Sequence, residues 1–353
     1  MIAKVPYRRI AVEEAFAPPA LIARYRGLLE TETDPGFHSS WGYFLRNPSE
    51  RTQTVVDRLQ DVGERRITDM DASGIDMQIL SLTAPGVQLF DAGEGGSVAR
   101  DTNDLLAAAV ARHPQRFAGL AACAPQDPDG AAKEIERAVG ELRLNGVIIN
   151  SHTRDEYLDD QRFWPIFEAA EALNTPIYLH PTSPSRGLIA PLVRRGLDGA
   201  IFGFAVETGM HALALIVSGV FDRFPKLQVV LGHLGEALPF WLSRIDFMHR
   251  GAVATGRYDN MRPLRMRPSD YLRENFHFTT SGMAWAPAIQ FVKSVIGLDR
   301  LMYAMDYPYQ YILDEVEASD ALDFTDDEKL QFFQTNAERL FGLASATAIG
   351  GGR

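Results

Sequence analysis

The segments IAVEEAF (10–16), PIYLHP (176–181) and LMYAMDYP (301–308) share one pattern, in which a short apolar run ends at an ionisable residue. Those residues are Glu13, His180 and Asp306. In a parallel barrel the strand bodies form the core, and the carboxyl-terminal strand ends form the rim of the active site. Two carboxylates and an imidazole are also ligand types that a catalytic divalent metal needs. The three segments therefore predict a parallel barrel with a metal site at one rim.

Eight short apolar runs are predicted to be strands, because they are rich in Val, Ile and Leu and lack polar alternation. Helical patterns separate them, such as Gly130–Leu144 after the capping pair Asp127-Pro128. This alternation predicts an α/β fold, a (β/α)8 TIM barrel with active-site insertions. The rival fold is a doubly wound sheet, but the Gly-rich fingerprint that it would carry after strand one is absent from the sequence. The predicted strands are Ile10–Glu13, Met77–Leu82, Phe117–Cys123, Val147–Asn150, Ile177–His180, Leu227–Gly232, His277–Thr280 and Leu301–Met305.

The barrel is predicted to form a single domain over residues 1–343, followed by a flexible tail over residues 344–353. Two segments are longer than barrel connections need. Residues 28–53 are rich in Gly, Pro, Ser and aromatic side chains, and residues 251–268 hold four arginines. Long insertions on the catalytic face are commonly lids or subunit contacts.

Composition excludes several classes of function. The net charge of -11 argues against a nucleic-acid partner, since no basic stripe is present to neutralise phosphates. Cys123 is the only cysteine, so no intramolecular disulfide or thiolate metal site can form, and its apolar surroundings predict an inert, buried thiol. No apolar run is long enough for a signal peptide or a membrane span, so we expect a cytoplasmic protein that does not bind membranes.

The predicted ligands Glu13, His180 and Asp306 should hold one metal ion. The fourth strand lacks a lysine, so no carbamylated bridge between two metals can be built. This oxygen-rich set favours Mn2+, with Zn2+ as the alternative. His233 follows the sixth strand, and Glu236 is positioned to orient its ring, which favours an acid/base or substrate-binding role for His233 over ligation.

Two arginines are candidates for binding an anionic substrate, because a guanidinium group matches carboxylate geometry. They are Arg51 and Arg244. The alternative interpretation for each is a solvated arginine on a helix surface.

These residues, in this order, resemble the amidohydrolase-2 family of metal-dependent decarboxylases, which includes 2-amino-3-carboxymuconate 6-semialdehyde, γ-resorcylate and 2,3-dihydroxybenzoate decarboxylases. The resemblance spans Arg9–Leu343, although several members carry Glu-x-His or His-x-His where this chain has Glu13-Glu14-Ala15. Within the family the chain is most similar to the 5-carboxyvanillate decarboxylases, through NPSER (47–51), IFGFAVETGMH (201–211) and YAMDYPYQY (303–311). Other shared stretches are VEEAF (12–16), TAPGVQ (83–88), YLHP (178–181), GVFDRFPKLQVVLGHLGEALPFW (219–241) and TNAERLFGL (335–343).

The resemblance implies Mn2+-dependent, non-oxidative decarboxylation of an ortho-hydroxy aromatic acid, namely 5-carboxyvanillate to vanillate in the catabolism of lignin-derived aromatics. Other hydroxybenzoates, of the 2,3-dihydroxybenzoate or γ-resorcylate type, are the alternative substrates. Arg244 is implied to reach in from a neighbouring subunit, so a homodimer or homotetramer is expected. The implied substrate contacts are Arg51, Thr83, Phe204, His233, Arg244 and Tyr309.

In this chemistry Asp306 is predicted to be the proton donor, which requires surroundings that raise its pKa. The rival enzymatic reaction is hydrolysis of a lactone or amide, with His233 accepting a proton from water that a metal activates. The rival outside enzymes is a barrel that serves as a binding protein or scaffold. The coincidence of Glu13, His180, His233 and Asp306 counts against it, because nothing in a scaffold requires them together.

Overall fold

The structure, a computed structural model, describes residues 5–344. In this part of the chain, eight parallel strands are hydrogen-bonded in sequence order, from β1 to β8. The ring closes where the Val12 N–H donates to the Tyr303 carbonyl at 3.2 Å and where Glu14 forms a parallel bridge with Tyr307. The predicted (β/α)8 barrel is confirmed. The strands are β1 Ile10–Phe16, β2 Met77–Leu82, β3 Phe117–Ala122, β4 Gly146–Asn150, β5 Ile177–His180, β6 Val229–Leu231, β7 Phe276–Thr279 and β8 Leu301–Met302.

Helices follow the strands and surround the barrel, as the apolar spacing between the strands predicts. Their bounds are Pro19–Thr31, Pro35–Arg46, Glu50–Leu59, Glu64–Ser73, Ala92–Arg112, Pro128–Gly140, Trp164–Ala172, Arg186–Val193, Gly203–Val217, Val220–Arg223, Leu238–Thr255, Pro268–Glu274, Ala286–Ile296, Glu315–Asp320, Asp326–Leu330 and Asn336–Phe341. No helix among residues 5–344 is both long enough and apolar enough to cross a bilayer.

The strands carry apolar residues on both faces because both faces are covered. Every residue of β1, β2, β3 and β4 is buried, with side chains packing either into the barrel or against the helices. Cys123, which follows β3, is buried as predicted, and burial raises the pKa of its thiol to about 12. This thiol is therefore inert packing.

The observed ends of β8 and of the helix predicted over Gly130–Leu144 differ from the prediction. β8 ends at Met302 instead of Met305, because the following residues bond to β1 and to the Glu14 side chain instead of continuing the ladder with β7. The helix predicted over Gly130–Leu144 spans Pro128–Gly140 instead, and the Asp127 side chain caps it by accepting a hydrogen bond from the Gly130 N–H.

Both predicted insertions are partly helical. Residues 28–53 contain the helix Pro35–Arg46, whose buried Trp41 donates a hydrogen bond to the Ala84 carbonyl at 2.9 Å and so lies beside the barrel mouth. Residues 251–268 begin within the helix Leu238–Thr255 and end at the first residue of the next helix. Of the predicted tail, only Ala344 is described, and residues 345–353 lie outside the described residues.

Candidate active site

A cavity of about 580 Å³ opens where the carboxyl-terminal ends of the strands meet. His180 at the end of β5, His233 after β6 and Asp306 after β8 line it. Glu13 in β1 lies just below and is 2% exposed. The fold therefore gathers Glu13, His180, His233 and Asp306 at one rim, as the sequence pattern predicts.

Glu13 is anchored through one carboxylate oxygen and unsatisfied at the other. The Tyr178 hydroxyl donates a short hydrogen bond to Oε2, and Thr279 Oγ1 donates to the same oxygen at 3.3 Å. Oε1 is buried and accepts no hydrogen bond from the described residues. Burial alone would raise the pKa of Glu13, but the charge of His233, together with His180 and the Tyr178 hydroxyl, lowers it to about 2. The site thus holds an ionised carboxylate with a free oxygen.

His180 offers a second free ligand atom beside that oxygen. Its Nδ1 lies 2.7 Å from the Pro181 carbonyl, which can only accept, so Nδ1 carries the proton, and in the neutral ring Nε2 then presents a lone pair. Nε2 lies 3.3 Å from Glu13 Oε1. Two ligand atoms each about 2.1 Å from one ion lie roughly 3 Å apart, and a ligating histidine commonly donates its other N–H to a carbonyl. The pair therefore fits a divalent cation.

Asp306 has an unusual backbone conformation and a perturbed carboxyl group. Its φ of 65° lies in the left-handed region, which is uncommon for residues other than glycine. The Gln310 side chain donates to Asp306 Oδ2 at 3.3 Å. Burial and the nearby charge of Glu13 raise the pKa of Asp306 to about 7, against the opposing charges of His233 and His180. A carboxyl group with that pKa can act as an acid near neutral pH.

The complete ligand set is not preassembled. Within residues 5–344, no group of three His, Cys, Asp or Glu side chains is already arranged to hold an ion. Glu13 and His180 are in place, and Asp306 lines the same cavity. The role of Asp306 as a third ligand stays a prediction.

His233 and Glu236 form the pair that their spacing predicts. His233 Nδ1 lies 2.8 Å from Glu236 Oε1, and Nε2 lies 3.8 Å from Glu13 Oε1. Burial disfavours the charged imidazolium, but the carboxylates of Glu236 and Glu13 raise the pKa of His233 to about 10. A cation bound between Glu13 and His180 would oppose this effect. The ring is thus oriented by Glu236 and faces Glu13 and His180.

Most of the predicted substrate contacts line the cavity. Arg51, Thr83, Phe204 and Tyr309 lie on its wall, and the Thr83 and Tyr309 hydroxyls are hydrogen-bonded at 2.6 Å. Arg244 is the exception, because it is exposed on the helix Leu238–Thr255 and lies outside the cavity lining of the described chain.

Sequence reasoning missed the side chains that hold the site residues in place. Tyr178 and Thr279 fix Glu13, and Gln310 binds Asp306. Tyr178 was detectable, since it lies two residues before His180 and alternation places both on one face of β5. Asn150, the last residue of β4, binds Gln88 at 3.0 Å and does not line the cavity among the described residues.

Comparison with known proteins gives concordant results. Residues 37–343 match the family described as Amidohydrolase, Amidohydro_2. A manganese-bound crystal structure of 5-carboxyvanillate decarboxylase from Novosphingobium aromaticivorans, with 4-hydroxy-3-methoxy-5-nitrobenzoic acid, is 50% identical, with a TM-score of 0.94 over 96% of this chain and 97% of that chain. The 5-carboxyvanillate decarboxylase of Sphingomonas paucimobilis is 42% identical, with a TM-score of 0.90 over 96% and 99% of the two chains. A γ-resorcylate decarboxylase of Polaromonas is 34% identical, over 95% of this chain and 98% of the relative.

Proposed function

This chain belongs to the Amidohydrolase family, and we propose that within it the chain is a metal-dependent carboxy-lyase that converts 5-carboxyvanillate to vanillate and CO2. One observation carries the proposal. The free Glu13 Oε1 and His180 Nε2 atoms lie together in a cavity that also holds Asp306, an acid with a pKa near neutral. The 50% identity to a 5-carboxyvanillate decarboxylase supports this substrate over other hydroxybenzoates. The expected cytoplasmic location and the role in lignin-derived aromatic catabolism stay predictions.

The proposed cofactor is one Mn2+ per chain, held by Glu13, His180 and Asp306. Two solved relatives contain manganese, in agreement with the oxygen-rich ligand set, and Zn2+ is the alternative. When bound, the ion would act as a Lewis acid toward the phenolate and carboxylate oxygens of the substrate and would fix the ring in place.

The proton chemistry belongs to Asp306. Its protonated carboxyl group donates to the ring carbon that bears the carboxylate, which interrupts the aromatic system. The bond between this carbon and the carboxylate then breaks, CO2 leaves, and the electron pair of that bond restores aromaticity. Gln310 holds one oxygen of Asp306, and Glu236 orients His233 against the substrate. If Asp306 does not supply the proton, His233 is the alternative donor.

The cavity wall suits an aromatic dianion. Phe204 and Tyr309 offer apolar and aromatic surface for the ring, and the Arg51 guanidinium offers a partner for the second carboxylate. We propose that Arg244 completes the site from a second copy of the chain, since in the described structure it is exposed and outside its own cavity.

The γ-resorcylate relatives make that reaction the second candidate function. A panel of ortho-hydroxy aromatic acids, assayed for CO2 release with added Mn2+, tests the proposal. We expect the highest kcat/KM with 5-carboxyvanillate. A higher kcat/KM with γ-resorcylate would indicate γ-resorcylate as the substrate instead of 5-carboxyvanillate. Hydrolysis of a lactone with no CO2 released would contradict decarboxylation.

A further inference from the structure

Glu14, the neighbour of Glu13 in β1, is a fully buried carboxylate that the proposed chemistry does not use. Alternation along a strand places consecutive side chains on opposite faces, so Glu14 does not share the surroundings of Glu13. Its carboxylate lies instead against the segment that follows β8. Oε1 accepts the Met305 N–H at 2.9 Å, and Oε2 accepts the Tyr307 N–H at 3.1 Å.

The two amides held by Glu14 flank Asp306 on both sides. Asp306 itself has a φ of 65°, a conformation that persists only where the surroundings impose it. A backbone contact also holds this segment against β1, because the Ala15 N–H donates to the Tyr307 carbonyl at 2.7 Å. The segment that carries Asp306 is therefore bound to β1 through Glu14, and it does not form a regular ladder with β7.

Two further side chains, Gln78 and Arg66, hold Glu14 in position. Gln78 Nε2 approaches Glu14 Oε2 at 3.5 Å, and Arg66 Nη1 donates to Gln78 Oε1 at 3.2 Å. Arg66 also donates to the Ala15 carbonyl at 2.7 Å, and its guanidinium lies 4.5 Å from the Tyr307 ring centroid. The carboxylate is thus fixed in position by neighbours that contact both β1 and the Asp306 segment.

We infer that Glu14 is a positioning residue, whose carboxylate holds the backbone on both sides of Asp306 so that the Asp306 side chain is aimed into the cavity. The inference rests on the proposed function for the role of Asp306 itself. In this view Glu14 imposes the Asp306 conformation that metal binding and proton donation would both require.

The test is Glu14→Gln in the full-length enzyme, since the amide keeps the shape but can accept only one of the two N–H groups. We expect the dissociation constant for Mn2+, measured by titration calorimetry, to rise by about 10–100-fold, as for other residues that support ligands. We also expect kcat to fall with little change in KM. The matched control is Glu134→Gln, another buried glutamate that accepts hydrogen bonds from Asn103 and Arg137 outside the cavity. It should leave the affinity for Mn2+ and kcat unchanged.

Unchanged Mn2+ affinity and kcat in folded Glu14→Gln would overturn the inference. If that variant does not fold, amide hydrogen exchange in the metal-free wild-type protein tests whether Glu14 holds the Asp306 segment. The Met305 and Tyr307 amides should exchange slowly, and exchange at the rate of exposed loop amides would overturn the inference. Failure of the wild-type enzyme to bind Mn2+ would instead overturn the proposed function on which the inference rests.

Discussion

Tyr178, two residues before His180 in β5, determines which oxygen of Glu13 is left for a cation. Its hydroxyl and that of Thr279 both donate to Oε2, so Oε1 alone faces His180. A buried carboxylate with one unsatisfied oxygen is costly unless a positive partner arrives. At the scale of single residues, the hydrogen bonds that fix Glu13 therefore shape the candidate site as much as Glu13 and His180 do.

Tyr178→Phe should weaken metal binding more than it weakens the fold. Loss of its hydrogen bond frees Glu13 to rotate, so we expect the Mn2+ dissociation constant to rise about 10-fold. The free energy of unfolding of the metal-free protein should fall by about 1 kcal/mol. Tyr7→Phe is the control, because Tyr7 is a buried tyrosine that donates to Asp320 at 3.0 Å, away from the cavity. Equal Mn2+ affinities of the two variants would contradict this role.

The Glu315 carboxyl group should make a contribution to stability that declines as the pH rises from about 4.5 to about 8. Burial raises the pKa of Glu315 from 4.5 to about 8 in the folded protein. The folded state then keeps a proton that the unfolded state loses, so this contribution to stability is complete below pH 4.5 and lost as the pH rises through 8. Glu315→Gln should be more stable than the wild type above pH 8, in urea unfolding monitored by circular dichroism.

The Tyr303 hydroxyl, 3.3 Å from Glu315 Oε1, can still donate to the glutamine oxygen. Glu136→Gln, at an exposed glutamate, should leave the pH profile unchanged. A profile for Glu315→Gln that is parallel to that of the wild type would refute the assignment.

The connection after β6 shows how a short element can present two functional side chains together. His233, Leu234, Gly235, Glu236 and Ala237 all have positive φ, between 50° and 82°, which forms a left-handed turn. Such conformations cost about 1–2 kcal/mol per residue outside glycine and cluster at functional sites. The turn brings the His233 ring and the Glu236 carboxylate within 2.8 Å of each other.

Gly235→Ala should disrupt this turn, because an added Cβ would lie 2.5 Å from the Phe278 ring at a φ of 82°. We expect a loss of stability greater than the roughly 1 kcal/mol that a positive φ alone costs, together with reduced activity. The control is Gly219→Ala, with a φ of 84° and no described atom within 4 Å of the added Cβ. Equal loss of stability in the two variants, measured by thermal unfolding, would refute a steric role for Phe278.

The sequence predicted those elements whose signals are local. The apolar runs that end at Glu13, His180 and Asp306 predicted the barrel and the rim, because the topology brings all strand ends to one edge. The left-handed turn was not predictable, since only Gly235 suggests it. Glu14 was also missed, because its partners Met305 and Tyr307 are remote in sequence and their contact exists only once the barrel closes.

At the scale of the whole molecule, the exposed apolar surface supports the expected oligomer. The helix Leu238–Thr255 carries Phe240, 71% exposed, and Phe247, 64% exposed, on either side of Arg244 in the sequence. Ile201 is also 72% exposed. Exposed apolar surface of this kind marks interaction sites in soluble proteins. A second copy seated here would cover these side chains and take up Arg244.

Mixing two inactive variants tests whether sites are shared between subunits. Arg244→Ala and Asp306→Asn should each lose most decarboxylase activity when assayed alone. After subunit exchange, mixed dimers contain one site with an intact Asp306 and the partner's Arg244, so activity should return. Absence of recovery, with mixed dimers detected by native mass spectrometry, would show that Arg244 does not act across an interface.

The reaction with 5-carboxyvanillate and Mn2+ in D2O, with the product examined by NMR, most directly tests decarboxylation with Asp306 as the proton donor. We predict vanillate that carries deuterium at the ring position from which CO2 left, because the proton that Asp306 delivers to that carbon exchanges with solvent. Asp306→Asn that still binds Mn2+ should form almost no product, since an amide cannot donate this proton. An Asp306→Asn enzyme that keeps its metal and most of its turnover would contradict the assignment of Asp306 and indicate His233 as the acid.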